Sequence, residues 1–318
     1  MKVALGLVAA LLVGVGLVLQ QAAAEQAPKS YFLQLRLITD LLHRRRWLAG
    51  ISFMIGGWVL SAWTIGNLDL SVAEPLLATN LLWALLVAIP LTGMRPRLSE
   101  ILGAVLLSGG VAALSVSRTI SAPTAEFGSA GYWPAAAGVA AIAFILVRAG
   151  WRRSGPTRAL LTGTATGLLF GISDALTRGT LLILDRHGIG AALTSWPAYS
   201  LAGASLLALW LMESAFNAAP LNASLPAITA AEPVIGILLG VVVFGDDIRI
   251  SPGTLALQAA GLAALVGGVI LVARAPMLGG LRPVQAISHV LSADHPEAAH
   301  PETEHAQPGP KKPEREEV

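Results

Sequence analysis

Cysteine is absent from this chain of 318 residues. Disulfides, thiolate metal sites and cysteine nucleophiles are excluded, while the redox compartment stays open. Charge is scarce as well: Asp, Glu, Lys and Arg supply 13% of the residues, against 54% hydrophobic. Such a composition cannot furnish the polar surface that a soluble globule of this length needs. The sequence is that of an integral membrane protein. No GxxxxGK[ST] phosphate-cradling loop occurs, so hydrolysis of a nucleotide through such a loop is not expected. The net charge of +2 arises from arginines in short loops, a topology signal and not a nucleic-acid surface.

What the chain has in abundance is long apolar runs. Crossing a bilayer takes about 20 apolar residues in a helix. Nine segments meet that need, near Val3 to Leu19, Trp47 to Leu68, Val72 to Leu91, Ile101 to Val116, Trp133 to Val147, Leu160 to Leu184, Trp196 to Phe216, Leu225 to Phe244 and Leu255 to Val272. The first also fits a signal peptide, with Lys2, an apolar run and Gln21-Ala22-Ala23-Ala24, although it is rather long for one. With nine spans, one set of alternate loops carries eleven Lys and Arg and the other carries four. The positive-inside rule then puts the N-terminus outside and the C-terminus in the cytoplasm.

Two stretches echo each other without a gap. Ala73-Glu74-Pro75 returns as Ala231-Glu232-Pro233, and Gly103, Leu107, Gly109, Gly110 and Val111 return as Gly261, Leu265, Gly267, Gly268 and Val269, each 158 residues on. Repetition of this kind marks many secondary transporters built from two related halves. Because an odd helix lies between them, two four-helix units would be inverted. The fold expected is thus all-α integral membrane, about nine transmembrane helices in two inverted-topology repeats. Residues 1–116 form the first repeat with a basic interfacial segment at 22–46, residues 117–158 the linking helix, and residues 159–274 the second repeat. Residues 275–318 form a disordered cytoplasmic tail. Its His289, His295, His300 and His305, beside Asp294, Glu297, Glu302 and Glu304, match no compact zinc pattern.

In the basic segment, Tyr31, Leu35, Ile38 and Leu42 share one helical face, and Arg36, Thr39, Asp40 and His43 the other. An in-plane interfacial helix is expected, with Arg44, Arg45 and Arg46 as an anchor that attracts anionic lipid.

Ionisable residues inside spans are costly and mark function. The candidates for substrate or coupling-ion binding are Asp174, Glu232, Glu74, Arg178 and Glu213. Asp174 lies three residues beyond the smooth strip of Gly163, Gly167 and Gly171, and Arg178, four residues further, suits an intrahelical ion pair. Pro233 removes a donor and disfavours helix at Glu232, so a break that bares carbonyl oxygens beside a carboxylate is expected there. Glu74 has the same local chemistry near the start of its span, where a Glu and a Pro also stabilise a helix N-terminus. Glu213, with Asn217 four residues on, reads as a wet end-of-helix residue or a ligand. Trp47, Trp133 and Trp196 fit interfacial belts, while Trp58, Trp63, Trp83 and Trp210 lie deeper, to pack or to line an aromatic cavity. No external loop gathers His, Asp and Glu, since Asp246, Asp247 and Arg249 are too small a set for acid–base chemistry, and no enzyme is expected.

The run Ala231-Glu232-Pro233-Val234-Ile235-Gly236-Ile237-Leu238-Leu239-Gly240, closing at Gly245-Asp246 and preceded by Ala218-Ala219-Pro220-Leu221-Asn222-Ala223, resembles the signature of the drug/metabolite transporter superfamily in its EamA-like branch. Trp47-Leu48-Ala49-Gly50, then Asn67, Pro75 and a helix to Gly93, is similar to the nine-helix NIPA-type magnesium transporters of that superfamily. The resemblance covers roughly residues 1–274. It implies a secondary carrier of a small organic metabolite or drug, driven by a proton or ion gradient, or of magnesium or another divalent cation. For a divalent cation, Asp174 and Glu232 would be the ligands, with retained waters. A non-transporting lipid-binding scaffold is the further alternative. No cofactor is expected. The partners expected are the solute or cation, the bilayer, anionic lipid at Arg44, Arg45 and Arg46, and a second copy of the chain as a homodimer.

Overall fold

The computed structural model describes residues 2–67, 76–77, 79–92, 97–119, 129–245, 247–248 and 251–274. Glu74, with the Pro75 that follows it, lies outside the described residues, as does the histidine-bearing tail. Within them the chain is helical: α1 (Lys2–Glu25), a 3-10 turn (Lys29–Tyr31), α2 (Leu35–Leu42), α3 (Arg45–Asn67), α4 (Asn80–Thr92), α5 (Leu98–Ser117), α6 (Ser129–Trp151), α7 (Gly155–Leu193), α8 (Trp196–Ala218), α9 (Leu221–Phe244) and α10 (Pro252–Ala273). Two residue pairs, Arg118 with Ile248 and Thr119 with Asp247, add a minimal antiparallel ladder. Apolar runs become helices because only a helix or a closed barrel satisfies every backbone group within lipid. Seven of the helices, α1, α5, α6, α7, α8, α9 and α10, are long and apolar enough to cross a membrane. The protein is an all-helical, multi-pass membrane protein.

Helix packing follows the small residues. On α7, Gly163 lies against Ser224, Gly167 against Ile228 and Ala231, and Gly171 against Ile235 and the carbonyl of Glu232, so α7 and α9 run side by side in the same direction. A Cβ at Gly167 would stand 2.6 Å from the Ile228 carbonyl oxygen, closer than any side chain can come. Gly16, Gly50 and Gly57 join α1 to α3 in the same way.

The seam between α5 and α10 is reciprocal. Gly103 meets Val272, and Gly261 meets Leu114. Gly110 meets the Gly261 carbonyl and Leu265, while Gly268 meets the Gly103 carbonyl and Leu107. Adding 158 to the α5 partner of one contact, and subtracting it from the α10 partner, gives the other contact of each pair. The helices run antiparallel. Gly109 and Gly267, the remaining echoed glycines, face away: a Cβ at Gly109 would touch nothing within 4 Å, and one at Gly267 only Leu106 at 4.0 Å.

Three expectations are corrected. First, α9 is continuous through Pro226 and Pro233, with no non-helical residue at Glu232. Each proline removes one donor from the ladder, and close packing on the α7 glycines holds the remaining turns in place. Second, the sixth helix runs past Leu184 through Asp185, Arg186 and His187, which are helical without being apolar, and breaks at Gly188, whose φ of 80° and ψ of 175° are non-helical and open to glycine; a short further helix leads to Leu193. Third, α2 buries Leu37 and Leu41 against the protein, at 0% exposure each, and turns Leu35 and Leu42 outward with Arg36.

Candidate functional site

The sequence-predicted residues fall into two separate layers. In the first, Glu232 stands midway along α9 and is half-buried, while Asp174 on α7 is exposed. Their carboxylates lie within electrostatic reach of each other. Asp174 Oδ2 is 3.8 Å from the point where a Cβ on Gly236 would sit, so the absence of a side chain at Gly236 makes room for it. That places Asp174 about 6 Å further along α9 than Glu232, at 1.5 Å per residue. A carboxylate at such depth is costly unless water, a partner or a ligand meets it. Arg178, one turn on, lays its guanidinium over the Phe244 ring at 4.2 Å from the centroid. Cation–π contact of this kind holds an arginine in a setting of low polarity.

Ala231 and Val234, the neighbours of Glu232 and Pro233, line the wall of an apolar groove of about 420 Å³ between α7, α9 and α10. Leu160, Thr164, Leu168 and Val266 are among its other lining residues, and Asp174, Arg178, Glu213 and Glu232 are not.

The second layer is closed. Glu213 on α8 is 0% exposed, and its Oε1 accepts a hydrogen bond from the Trp47 indole Nε1 of α3 at 2.9 Å. Reading Glu213 as a wet helix end and Trp47 as an interfacial belt residue is therefore wrong for both; α1 covers them. Gln20 and Gln21 of α1, and Asn217 one turn beyond Glu213, are likewise fully buried. Gln21 Nε2 donates to the carbonyls of Phe216 and Ala219 at 3.4 and 3.3 Å, and Gln20 Nε2 to Met54 sulfur at 3.1 Å. Asn217 Nδ2 donates to the carbonyls of Ala24 and Ala27 at 3.0 and 3.1 Å.

Below this layer the elbow after α1 is clamped to the second half of the chain. Lys29 Nζ donates to the Asn217 carbonyl, and Arg158 stacks on Phe32 at 4.6 Å. Partial burial draws the Lys29 amine below its ordinary value, opposed by the Glu25 carboxylate nearby. Arg44 pairs with Asp40 at 2.8 Å, whereas Arg45 and Arg46 are exposed.

Gln20, Gln21 and Trp47 are the site residues that sequence reading did not single out. The two glutamines follow directly on the apolar run Val3 to Leu19 as an adjacent polar pair, which was a usable signal; the indole bond to Glu213 spans 166 positions and left none. Trp58 and Trp63 are exposed, at 47% and 40%. Among the described residues no group of three or more His, Asp or Glu is placed to hold a metal ion.

No family model matches the chain. An uncharacterized protein of Corynebacterium glutamicum is 28% identical over 253 residues, covering 79% of this chain and 86% of that one. The similarity thus extends through most of both sequences and not through one helix. No solved structure matches.

Proposed function

We propose that this protein is a secondary transporter that moves a small organic solute by alternating access, coupled to a proton or ion gradient. The observation that carries the reading is the Asp174–Glu232 pair, two carboxylates from adjacent helices at membrane depth with one of them exposed. Retaining such a pair is costly unless it binds something. In this reading nine helices cross the cell membrane, α3 and α4 included, and form two inverted four-helix repeats around α6. The reciprocal glycine contacts of α5 and α10 support that arrangement. An antiparallel pair with exchanged contacts has its two-fold axis perpendicular to the helices, hence in the membrane plane. The N-terminus lies outside and the C-terminus in the cytoplasm, consistent with the arginine distribution. The Glu-Pro signature of α9 supports membership of the EamA-like drug/metabolite transporters.

The apolar groove beside Ala231 and Val234 favours an organic solute, whose hydrocarbon body it suits while Glu232 and Asp174 receive a cationic or hydrogen-bonding end. A divalent cation such as magnesium, held by the same carboxylates, is the second reading, favoured by their proximity. Reconstitution in liposomes separates them. Proton- or sodium-driven uptake of organic solutes, lost in Asp174→Asn and Glu232→Gln, is the expected result. Influx of magnesium reported by an internal dye, lost in the same variants, transfers the site to the divalent cation. Neither activity in well-folded protein overturns the transporter reading.

A further inference from the structure

The layer around Glu213 has a surplus of acceptors. Each of its side-chain donor nitrogens has a partner: Trp47 Nε1 bonds Glu213 Oε1, Gln20 Nε2 bonds Met54, and Gln21 Nε2 and Asn217 Nδ2 bond backbone carbonyls. Glu213 Oε2, Gln20 Oε1, Gln21 Oε1 and Asn217 Oδ1 are all buried and all without a partner, as is Oε2 of Glu25, whose charge the nearby Lys29 ammonium offsets, so that Glu213 is the layer's one uncompensated carboxylate. Trp210, whose indole nitrogen also lacks a partner, packs into the other core around Tyr132 and not into this layer. Buried polar atoms are satisfied as a rule, and a group of orphans that are all oxygen acceptors asks for an electropositive guest.

The nature of the guest follows from counting. A proton on Glu213 Oε2 turns one acceptor into a donor and satisfies one amide oxygen, leaving the others as they were. A divalent cation is poorly matched by a single carboxylate, and magnesium gives up its water reluctantly. A monovalent metal ion balances the one negative charge and takes uncharged amide oxygens as its remaining ligands. Held by Gln20 and Gln21 of α1 and by Glu213 and Asn217 of α8, the ion would tie helices of both halves of the chain.

We infer that Glu213, Asn217, Gln20 and Gln21 form a binding site for a desolvated monovalent cation of the sodium class, separate from the Asp174–Glu232 pair. The inference deepens the transporter reading by assigning its coupling ion, and it is tested by binding alone. Purified wild-type protein is titrated with radioactive sodium, choline chloride keeping the ionic strength constant, and thermal unfolding is followed in parallel. Saturable binding at a single site is expected, with unfolding shifted upward by sodium and not by choline. Glu213→Gln is expected to weaken binding about tenfold or more, and Asn217→Ala to weaken it less. Absence of saturable sodium binding to folded wild-type protein overturns the inference, whatever the variants do. Binding abolished by Asp174→Asn but kept in Glu213→Gln overturns it as well. Sodium binding without any solute uptake supports this site while removing the transporter reading, so the two fail separately.

Discussion

Glu232 and Glu213 are each a lone glutamate in an apolar helix, yet the molecule treats them differently. Glu232 faces a second carboxylate across a glycine-smoothed seam, next to an exposed Asp174. Glu213 is sealed by three helices and holds an indole. An open pair of like charges can exchange what it binds with water. A closed single charge, surrounded by amides, suits an occupant that leaves only when the covering helices part. The difference lies in the neighbours and not in the glutamates: Gly171 and Gly236 leave room in one layer, where Trp47 and two glutamines fill the other.

The strongest way to break the comparison is to force the α7–α9 seam apart. Gly167→Leu must drive side-chain atoms into the Ile228 carbonyl, and overpacking of this kind costs about 1–3 kcal/mol or more. We expect loss of monodisperse protein by size-exclusion chromatography, while Gly203→Leu, where a Cβ meets nothing within 4 Å, elutes as wild type. Next in size, Asp174→Asn and Glu232→Gln each reduce initial uptake about ten- to a hundredfold in liposomes, the loss expected for a charged ligand. Their melting temperatures stay close to wild type.

Glu213→Gln sharpens the contrast in the opposite sense. The amide keeps an acceptor for Trp47 and brings a donor to a layer short of donors, so in sodium-free buffer stability should rise by about 1 kcal/mol, or roughly 2–4 °C. An unchanged or lower melting temperature there would show that the acceptor surplus carries no energetic weight. Trp47→Phe removes the donor and should cost about 1 kcal/mol; combined with Glu213→Gln its effect shrinks, which a double-mutant cycle reads directly. The smallest effect is a reference outside both layers. Neutralising exposed Arg45 and Arg46 should weaken preference for anionic over neutral lipid by about 1 kcal/mol each, measured by co-purified lipid, with sodium binding and uptake unmoved.

Much of the fold was legible in the sequence because its dominant force is composition. The runs from Ile101 and from Leu255 became α5 and α10, and the 158-residue echo became the pairs of contacts between them. Helix ends were less legible where polarity and helicity part company: Asp185 to His187 are helical without being apolar, and Pro233 leaves α9 unbroken since packing outweighs one missing donor. The open layer was half visible, as Asp174 and Glu232 announce themselves by charge. The closed layer was not. Glu213 looks like a helix-end residue until α1 is laid over it, and Trp47 like an interfacial anchor until its indole reaches α8. Contacts between positions far apart in the chain leave no local trace.

The reciprocal seam of α5 and α10 also bears on ancestry. Contacts that come in exchanged pairs are what one sequence used twice would give: a single short polypeptide, inserted in the bilayer in both orientations, could close the same seam with copies of itself. Fusion through one odd helix would then fix as a permanent arrangement what began as a chance meeting of opposite insertions. Along that seam Gly103, Gly110, Gly261 and Gly268 are the echoed glycines whose replacement would push one helix off the other, and Gly109 and Gly267 are not.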